Sequence, residues 1–228
     1  MTPPIPRIVV LASGHGSNLQ ALIDAVGTGE LKVELAAVFS DRPDAAALQR
    51  ARAAGIAAST IRPADFATRI AFDEYLFSRI DDVHPCLIVC AGYMRLISEP
   101  EVIAHVGRMI NIHPSLLPAF RGLRTHQQAL DAGVAEHGAS VHFVSPELDG
   151  GPVISQARVP VCRDDDAIVL GRRVLQREHA LLVQTVGLFA QRRVALAGDR
   201  VLLDGQALDR PLQLDAGNRL VPASPGHE

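Results

Sequence analysis

Cysteine is scarce in this sequence, and neither sign of charge is in strong excess. Three cysteines, an odd number, occur among 228 residues, and Cys86 and Cys90 belong to an apolar run in which buried thiols pack like small hydrophobic groups. This pattern favours the reducing cytoplasm. A formal net charge of -3 excludes a surface-wide attraction for nucleic acid, so we expect no nucleic-acid partner, and anion binding would need a local group of residues.

Long hydrophobic runs are also missing. No segment approaches the roughly 18 consecutive apolar residues that suggest a membrane span, and residues 1–7 lack the apolar core of a secretory signal. We therefore expect a cytoplasmic protein with no membrane partner. Because 48% of the residues are hydrophobic and 21% are charged, the chain can bury a full core, which excludes disorder and fits one large domain or at most two small ones.

The first half of the chain alternates short apolar runs with longer amphipathic segments, which is typical of a parallel sheet covered by helices. Strands are predicted at residues 8–12, 35–39, 57–61, 87–91 and 109–112. Helices are predicted at residues 18–26, 44–54, 65–80 and 99–105, with Gly55 as the C-terminal stop of the second. The apolar character of the strands at 8–12, 35–39 and 87–91 indicates burial on both faces.

The pattern changes after Pro118. A loop is followed by a predicted short helix at residues 125–132, β-like runs at 139–144 and 153–161, and a hairpin at 194–203 around Gly198. Between them, a long helix begins near the cluster Asp164-Asp165-Asp166, whose carboxylates can cap free amides, and ends near residue 191. Residues 222–228 are expected to form a frayed tail.

Together these elements predict an α/β fold, with a doubly wound, mostly parallel sheet, helices on both faces and a C-terminal β-hairpin. We expect a single domain over residues 1–228, made of one half at 7–112, a second half at 113–203 and a tail at 204–228.

A glycine-rich segment, Ser13-Gly14-His15-Gly16-Ser17-Asn18-Leu19, follows the first predicted strand and opens a predicted helix. Its backbone amides and the positive end of the helix dipole would converge on an anion, and glycine lets the backbone come close. The dinucleotide fingerprint needs a third glycine where Leu19 stands, so a phosphate monoester fits better than a nucleotide cofactor. An ordinary tight turn between strand and helix is the alternative.

Asn111 and His113 stand two residues apart at the end of a predicted strand, so their side chains point to the same side. Pro114 keeps His113 extended. An amide donor beside a titratable imidazole is suited to stabilising a tetrahedral oxyanion and to moving protons near neutral pH. The alternative is a histidine whose hydrogen bonds are satisfied inside a turn.

The segment Glu147-Leu148-Asp149-Gly150-Gly151-Pro152 presents a carboxylate from a loop, because its two glycines let the chain turn sharply. Turn formation alone could explain the segment. If Asp149 approaches His113, its negative charge is expected to raise the pKa of the imidazole above roughly 6.5.

Three further histidines, His126, His137 and His142, raise the question of a metal site, but their spacing matches no metal-binding template. We expect no metal and interpret them as core or loop histidines.

The glycine segment, the run Asn111-Ile112-His113-Pro114-Ser115-Leu116-Leu117-Pro118 and the run Leu148-Asp149-Gly150-Gly151-Pro152, in this order, resemble the folate-dependent formyltransferases. The resemblance extends from about residue 7 to residue 201. Methionyl-tRNA formyltransferases are similar but carry a C-terminal tRNA-binding domain, and formyltetrahydrofolate deformylases carry an N-terminal regulatory domain. We expect neither extension here.

The resemblance implies the Rossmann-like formyltransferase fold and direct transfer of the formyl group of 10-formyltetrahydrofolate, a co-substrate, to the amine of glycinamide ribonucleotide in purine synthesis. The expected partners are therefore small molecules, and the protein is expected to be a monomer or homodimer. Hydrolysis of the same folate, as in a deformylase, is the nearest alternative. A non-catalytic mononucleotide-binding module and a metal-dependent hydrolase are more remote ones.

The resemblance also implies roles for individual residues. The catalytic residues would be Asn111, His113 and Asp149. The substrate phosphate would lie on the amides of Gly16, Ser17 and Asn18, with Glu178 at the ribose or amine end. The pterin and glutamate pocket would be formed by Arg69, Met94, Arg95, Leu96, Ile97, Asn111, Val144, Glu147, Leu148 and Asp149. Leu175 and Arg124 depart from the residues usual in the family, and they concern only the contacts to phosphate and ribose.

Overall fold

The computed structural model of the protein describes residues 4–223, so the predicted tail lies outside the described residues from residue 224 onward. The chain divides into two compact units, Met1–Asn111 and Ile112–Glu228.

The first unit alternates strands and helices as predicted. In chain order its elements are β1 (Arg7–Leu11), α1 (Ser17–Gly27), β2 (Glu34–Ser40), α2 (Ala46–Ala53), β3 (Ala58–Thr60), a 3-10 turn (Pro63–Asp65), α3 (Arg69–Asp81), β4 (Leu87–Cys90), α4 (Glu99–Ala104) and β5 (Met109–His113), whose last residues belong to the second unit. The strands pair in parallel in the order β5-β4-β1-β2-β3.

The two central strands, β1 and β4, form the core of the first unit. Their apolar residues are at most 1% exposed, namely Ile8, Val9, Val10, Leu11, Leu87, Ile88 and Val89. Continuous apolar sequence of this kind is what a strand covered on both faces requires, and the prediction for these two strands is confirmed.

The order of the strands creates a topological switch point between β1 and β4. The chain passes from β1 to β2 and β3 on one side, and then returns to β4 and β5 on the other. In the strand register, Leu11 lies opposite Cys90, and Cys90 lies opposite Asn111. The glycine segment, the segment after β4 and Asn111 therefore lie at neighbouring carboxyl ends, where open α/β sheets bind their ligands.

The second unit is built from antiparallel and parallel strands around a long helix. Its elements are α5 (Thr125–Asp131), β6 (Glu136–Phe143), β7 (Val153–Pro160), α6 (Ala167–Ala190), β8 (Val194–Ala197), β9 (Arg200–Leu203), β10 (Gln206–Ala207), β11 (Leu212–Leu214) and β12 (Leu220–Val221). Strand β7 pairs with β6 antiparallel and with β11 in parallel, and β12 pairs antiparallel with β11. Strands β8, β9 and β10 form a separate antiparallel sheet.

The α/β fold with a mostly parallel sheet and a C-terminal β-hairpin is thus confirmed. The long helix begins as predicted, because the Asp166 carboxylate caps the amides of Ile168 and Val169 at 2.8 and 2.7 Å. Among residues 4–223, no helix is both long and apolar enough to cross a membrane.

Three local features differ from the sequence-based expectations. The third helix begins at Arg69 rather than residue 65, because a 3-10 turn comes first and the Thr68 hydroxyl caps the amide of Ala71 at 3.1 Å. Cys86 is exposed, whereas Cys90 is buried. The segment after residue 204, for which the sequence indicated no elements, forms β10, β11 and β12.

Candidate active site

The glycine segment adopts a conformation that requires glycine at one position. Gly16 has φ +73°, and a Cβ atom there would lie 2.7 Å from both Cα and Cβ of Ala47. Helix α1 starts immediately afterwards at Ser17, so the glycine segment leads directly into the N-terminal end of this helix, where backbone amides and the helix dipole favour an anion. The arrangement is suited to binding a phosphate group.

Helix α2 supports the glycine segment from behind. The amide of Ala47 donates to the carbonyl oxygen of Gly14 at 3.1 Å. The Arg50 guanidinium donates to the carbonyl oxygen of His15 at 2.9 Å and to the side-chain oxygen of Gln20 at 3.1 Å. Sequence reasoning missed Arg50, since it lies 35 residues from the loop that it holds and belongs to no motif.

The segment after β4 is attached to the glycine segment through Ser13. The Ser13 amide donates to the carbonyl oxygen of Gly92 at 3.0 Å, and its hydroxyl accepts from the amide of Met94 at 3.0 Å. The side chains of Met94 and Leu96 are 69% and 54% exposed. These apolar groups, held outward by an anchored backbone, offer a surface for a flat organic ligand.

His113 and Asp149 come together in the second unit, as the sequence motifs suggested. The imidazole Nδ1 of His113 lies 3.4 Å from Oδ2 of Asp149. The same carboxylate oxygen accepts from the amide of Gly122 at 3.0 Å, and its other oxygen lies 3.7 Å from Nε2 of His142. Asn111 precedes His113 by two residues on the same strand, so the two side chains share one face of β5.

Two glycines hold Asp149 in place. Asp149 has φ +46°, an uncommon conformation for a residue with a side chain. A Cβ atom at Gly150 would lie 2.7 Å from Cβ of Glu147, and one at Gly151 would lie 1.9 Å from the carbonyl oxygen of Phe143. The tight turn that the sequence predicted therefore depends on both glycines.

Asp149 is ionised in this setting. Burial by itself would raise its pKa, but the contact with His142, the Gly122 amide and the charge of His113 stabilise the carboxylate and lower the pKa below its ordinary value.

The pKa of His113 shifts in the opposite direction to the sequence-based expectation. Burial lowers the pKa of this imidazole and outweighs both the hydrogen bond to the Phe120 carbonyl and the attraction of Asp149, which raise it. The prediction of a pKa above the ordinary value is therefore wrong for the unliganded site. A charged ring loses more from desolvation here than one neighbouring carboxylate returns.

Both ring nitrogens of His113 nevertheless face oxygen acceptors. Nε2 lies 3.0 Å from the carbonyl oxygen of Phe120, and Nδ1 faces Asp149. A neutral imidazole carries only one N–H, so one nitrogen lone pair must point at an oxygen, whereas an imidazolium would satisfy both. The geometry is prepared for a charged ring even though burial opposes it.

The three histidines considered above as metal ligands fall into two groups. His142 is 2% exposed, in agreement with its interpretation as a core or loop histidine, and it also adjoins Asp149. His126 and His137 form a pair, with Nδ1 of the former 3.1 Å from Nε2 of the latter. Over residues 4–223, no group of histidine, cysteine and acidic side chains has the arrangement of a metal site.

Other predicted site residues occupy varied positions. Glu178 is 7% exposed on α6, Arg69 is the first residue of α3, and Arg124 precedes α5 with φ +57°. Glu147 is exposed and forms an ion pair with Arg121. Their roles toward a ligand stay predictions, as do those of Ile97, Val144, Leu148 and Leu175.

Residues 6–186 match a family model described as formyl transferase, and the chain belongs to this family. It is 50% identical to the phosphoribosylglycinamide formyltransferase of Escherichia coli K12 over 202 residues, which cover 89% of this chain and 95% of that protein. The phosphoribosylglycinamide formyltransferase structure from Coxiella burnetii superposes with a TM-score of 0.87 at 45% identity, covering 90% of this chain and 96% of the other. A formyltetrahydrofolate deformylase from Pseudomonas putida is less similar, with a TM-score of 0.79, 28% identity, and coverage of 89% and 72%.

Proposed function

We propose that this chain transfers the formyl group of 10-formyltetrahydrofolate to the primary amine of glycinamide ribonucleotide. The observation that carries the proposal is the His113–Asp149 pair, in which Nδ1 of His113 lies 3.4 Å from Oδ2 of Asp149, and His113 is on the strand that also bears Asn111. It occurs in a chain that shares half of its residues with a phosphoribosylglycinamide formyltransferase over nearly the whole length of both.

The reaction forms one bond and breaks another at the formyl carbon. The amine nitrogen attacks this carbon, the carbonyl oxygen becomes an oxyanion in a tetrahedral intermediate, and the bond to the folate N10 breaks. The proton lost by the amine is delivered to N10. No covalent bond to the protein is needed.

Asn111 and His113 stabilise the intermediate as hydrogen-bond donors. The Asn111 amide donates to the oxyanion, and the imidazole of His113 takes the second position. Negative charge that develops beside the ring favours its protonation, which offsets the burial that keeps the free ring neutral. The oxygen acceptors that already face both ring nitrogens stabilise the imidazolium when it forms.

Asp149 assists as an anion. It is held ionised by the Gly122 amide and by His142, so it can stabilise an imidazolium and orient a water molecule that carries the proton from the amine to N10. His142 is thus a support for the carboxylate.

Substrate binding is assigned to the strand ends of the first unit and to α6. The amides of Gly16, Ser17 and Asn18 bind the phosphate, and Glu178 binds the ribose or the amine end. The folate lies against the segment from Met94 to Ile97, with backbone hydrogen bonds from Arg95 and Ile97 to the pterin, and Arg69 near the glutamate tail.

The decisive experiment follows folate absorbance with purified protein and 10-formyltetrahydrofolate, in the presence and absence of glycinamide ribonucleotide. Transfer requires the amine, so turnover should occur only when the ribonucleotide is added. Equal turnover without it would identify a hydrolase of the deformylase kind and overturn the proposal. Binding of a mononucleotide with no turnover of any folate would overturn it too.

A further inference from the structure

Helix α3 places a carboxylate where apolar packing would be expected. Asp73 is 0% exposed and lies among the buried residues Phe72, Leu76 and Phe77 of the same helix. Burial raises its pKa, against the opposing influence of the Ser98 amide and the positive charges of Arg69 and Arg95. Burying a carboxyl group costs free energy of folding, so the contacts of Asp73 should indicate why it is present.

The partner of Asp73 is the far end of the predicted folate-binding segment. Its Oδ2 atom accepts a hydrogen bond from the amide of Ser98 at 2.8 Å, across 25 residues of sequence. The near end of the segment is held by the Ser13 hydroxyl, which accepts from the amide of Met94 at 3.0 Å. Both acceptors are buried, Ser13 at 3% exposure, so the segment is fastened at each end by a side chain that no ligand can reach.

Between these anchors the segment leans on α3 at one further point. The Arg95 guanidinium carbon lies 5.1 Å from the centre of the Phe72 ring, within the range of a cation–π contact of roughly 6 Å. The side chains of Met94 and Leu96 remain exposed. The backbone from Met94 to Ser98 is therefore fixed in direction, while its outward side chains stay available.

We propose that Asp73 is a positioning residue for the folate co-substrate. The inference rests on the proposed function, in which the peptide groups of Arg95 and Ile97 bind the pterin. Asp73 does not touch the ligand. It fixes the Ser98 amide, and so sets the distance and direction of the two preceding peptide groups that the ligand must meet.

Loss of this anchor leaves the phosphate cradle and the His113–Asp149 pair untouched. The loss of this hydrogen bond should therefore change the KM for the folate only. Asp73→Ala is expected to raise the KM for 10-formyltetrahydrofolate about tenfold, the change expected from one lost hydrogen bond in a buried setting. The KM for glycinamide ribonucleotide and kcat should stay within about twofold.

Two further variants separate positioning from general damage. Asp73→Asn keeps a carbonyl oxygen as acceptor and should hold the folate KM within about threefold of the unaltered protein. Glu74→Ala changes the exposed neighbour on the same helix and should leave both KM values unchanged. Hydrogen exchange at residues 94–98 should accelerate in Asp73→Ala and not in Glu74→Ala.

If Asp73→Ala shows no cooperative melting transition, Asp73→Leu removes the same acceptor. The leucine side chain fills the buried site with apolar atoms in place of a cavity, so this variant avoids the packing defect of the alanine variant. This variant should also raise the folate KM about tenfold. A folded variant of either kind with an unaltered folate KM, or with equal rises in both KM values, would overturn the positioning role.

If the proposed function is wrong, the result differs from failure of the positioning role. The unaltered protein would then show no transfer to glycinamide ribonucleotide. In that case, titration calorimetry with tetrahydrofolate still tests Asp73, because the positioning role requires binding by the unaltered protein and about tenfold weaker binding by Asp73→Ala. No binding by the unaltered protein would overturn both proposals.

Discussion

The glycine segment of the first unit and the His113–Asp149 pair of the second unit use different parts of the chain. The glycine segment presents main-chain amides at the start of α1, and its geometry depends on one residue with φ +73° and on its contact with Ala47. The His113–Asp149 pair consists of buried side chains whose charges depend on one another and on solvent. A backbone cradle is therefore sensitive to shape, whereas a side-chain pair is also sensitive to pH.

The largest effect is expected from removing a donor of the side-chain site. His113→Ala should lower kcat about 100- to 1000-fold, because one oxyanion donor typically contributes this much, and Asn111→Ala should do the same. Steady-state transfer assays measure the loss, and a melting curve should show that each variant folds. His84→Asn, which changes an exposed histidine of the first unit, serves as the control and should have normal kcat. Near-normal turnover in either site variant would refute the assigned roles.

We expect a steric change at Gly16 to displace the phosphate-binding amides without any change in charge. Gly16→Ala places a Cβ atom 2.7 Å from Ala47 on a backbone with φ +73°. We expect the KM for glycinamide ribonucleotide to rise roughly 10- to 100-fold with a smaller change in kcat, since the amides are displaced from the phosphate.

Gly55→Ala is the matched control for this change. Gly55 has the same φ of +73°, but nothing lies within 4 Å of the added Cβ atom. It should cost about 1 kcal/mol of stability through backbone strain and leave both KM values unchanged. Equal KM effects in both variants would show that strain, and not the contact with Ala47, matters.

The response to pH should distinguish the side-chain region further. Burial lowers the pKa of His137 to about 4, and it also lowers the pKa of His113 and of His126. Unfolded histidines titrate near pH 6.5, so below this pH the unfolded chain binds protons that the folded chain refuses. Stability should be highest above pH 6.5 and fall as the pH decreases towards 4, with a loss on the order of 2 kcal/mol from His137 alone.

Urea denaturation between pH 7.5 and 4.5 measures this slope. His137→Gln should flatten the curve, since the substituted side chain does not titrate. A variant whose stability falls with pH as steeply as that of the unaltered protein would contradict the assignment to His137.

The smallest expected effects are on stability and concern the C-terminal strands, where a side chain of α6 donates hydrogen bonds to backbone carbonyl groups. Arg177 donates to the carbonyl oxygens of Leu214 and Asp215 at 3.0 and 2.7 Å, and to the side chain of Asn218 at 2.6 Å. Arg177→Ala should lower the free energy of unfolding by about 1 kcal/mol.

Deletion after Pro222 should change the free energy of unfolding by less than about 0.5 kcal/mol and leave activity intact. A large loss on this deletion would show that the contacts of Arg177 are not what secures these strands.

Local chemistry made many of the elements predictable. Residues 8–11 of β1 and 87–90 of β4 are apolar at every position, so burial on both faces follows from composition. The start of α6 was readable because Asp166 sits where a side-chain acceptor can reach the amides of the next two or three residues. The start of α3 was misjudged, because Thr68 competes successfully with the earlier Asp65 as the capping residue.

The missed residues of the site share a different property. Arg50, Asp73 and His142 act on partners 35, 25 and 7 residues away. None belongs to a short motif, and each looks like an ordinary charged or core residue until the chain is folded. Periodicity and turn chemistry carry no information about such pairs, because they report only on neighbours along the chain.

The order of residues was enough to establish the family resemblance and the strand-to-helix turn at Gly16, and to single out Asn111, His113 and Asp149 as candidates for the chemistry. The sequence alone could not determine the charge of His113. An imidazole beside a carboxylate could titrate above or below its ordinary pKa, and the outcome depends on how much water the surrounding chain removes. Folding buries this ring and supplies the Phe120 carbonyl on its far side, so desolvation and hydrogen bonding, both consequences of packing, set its proton affinity.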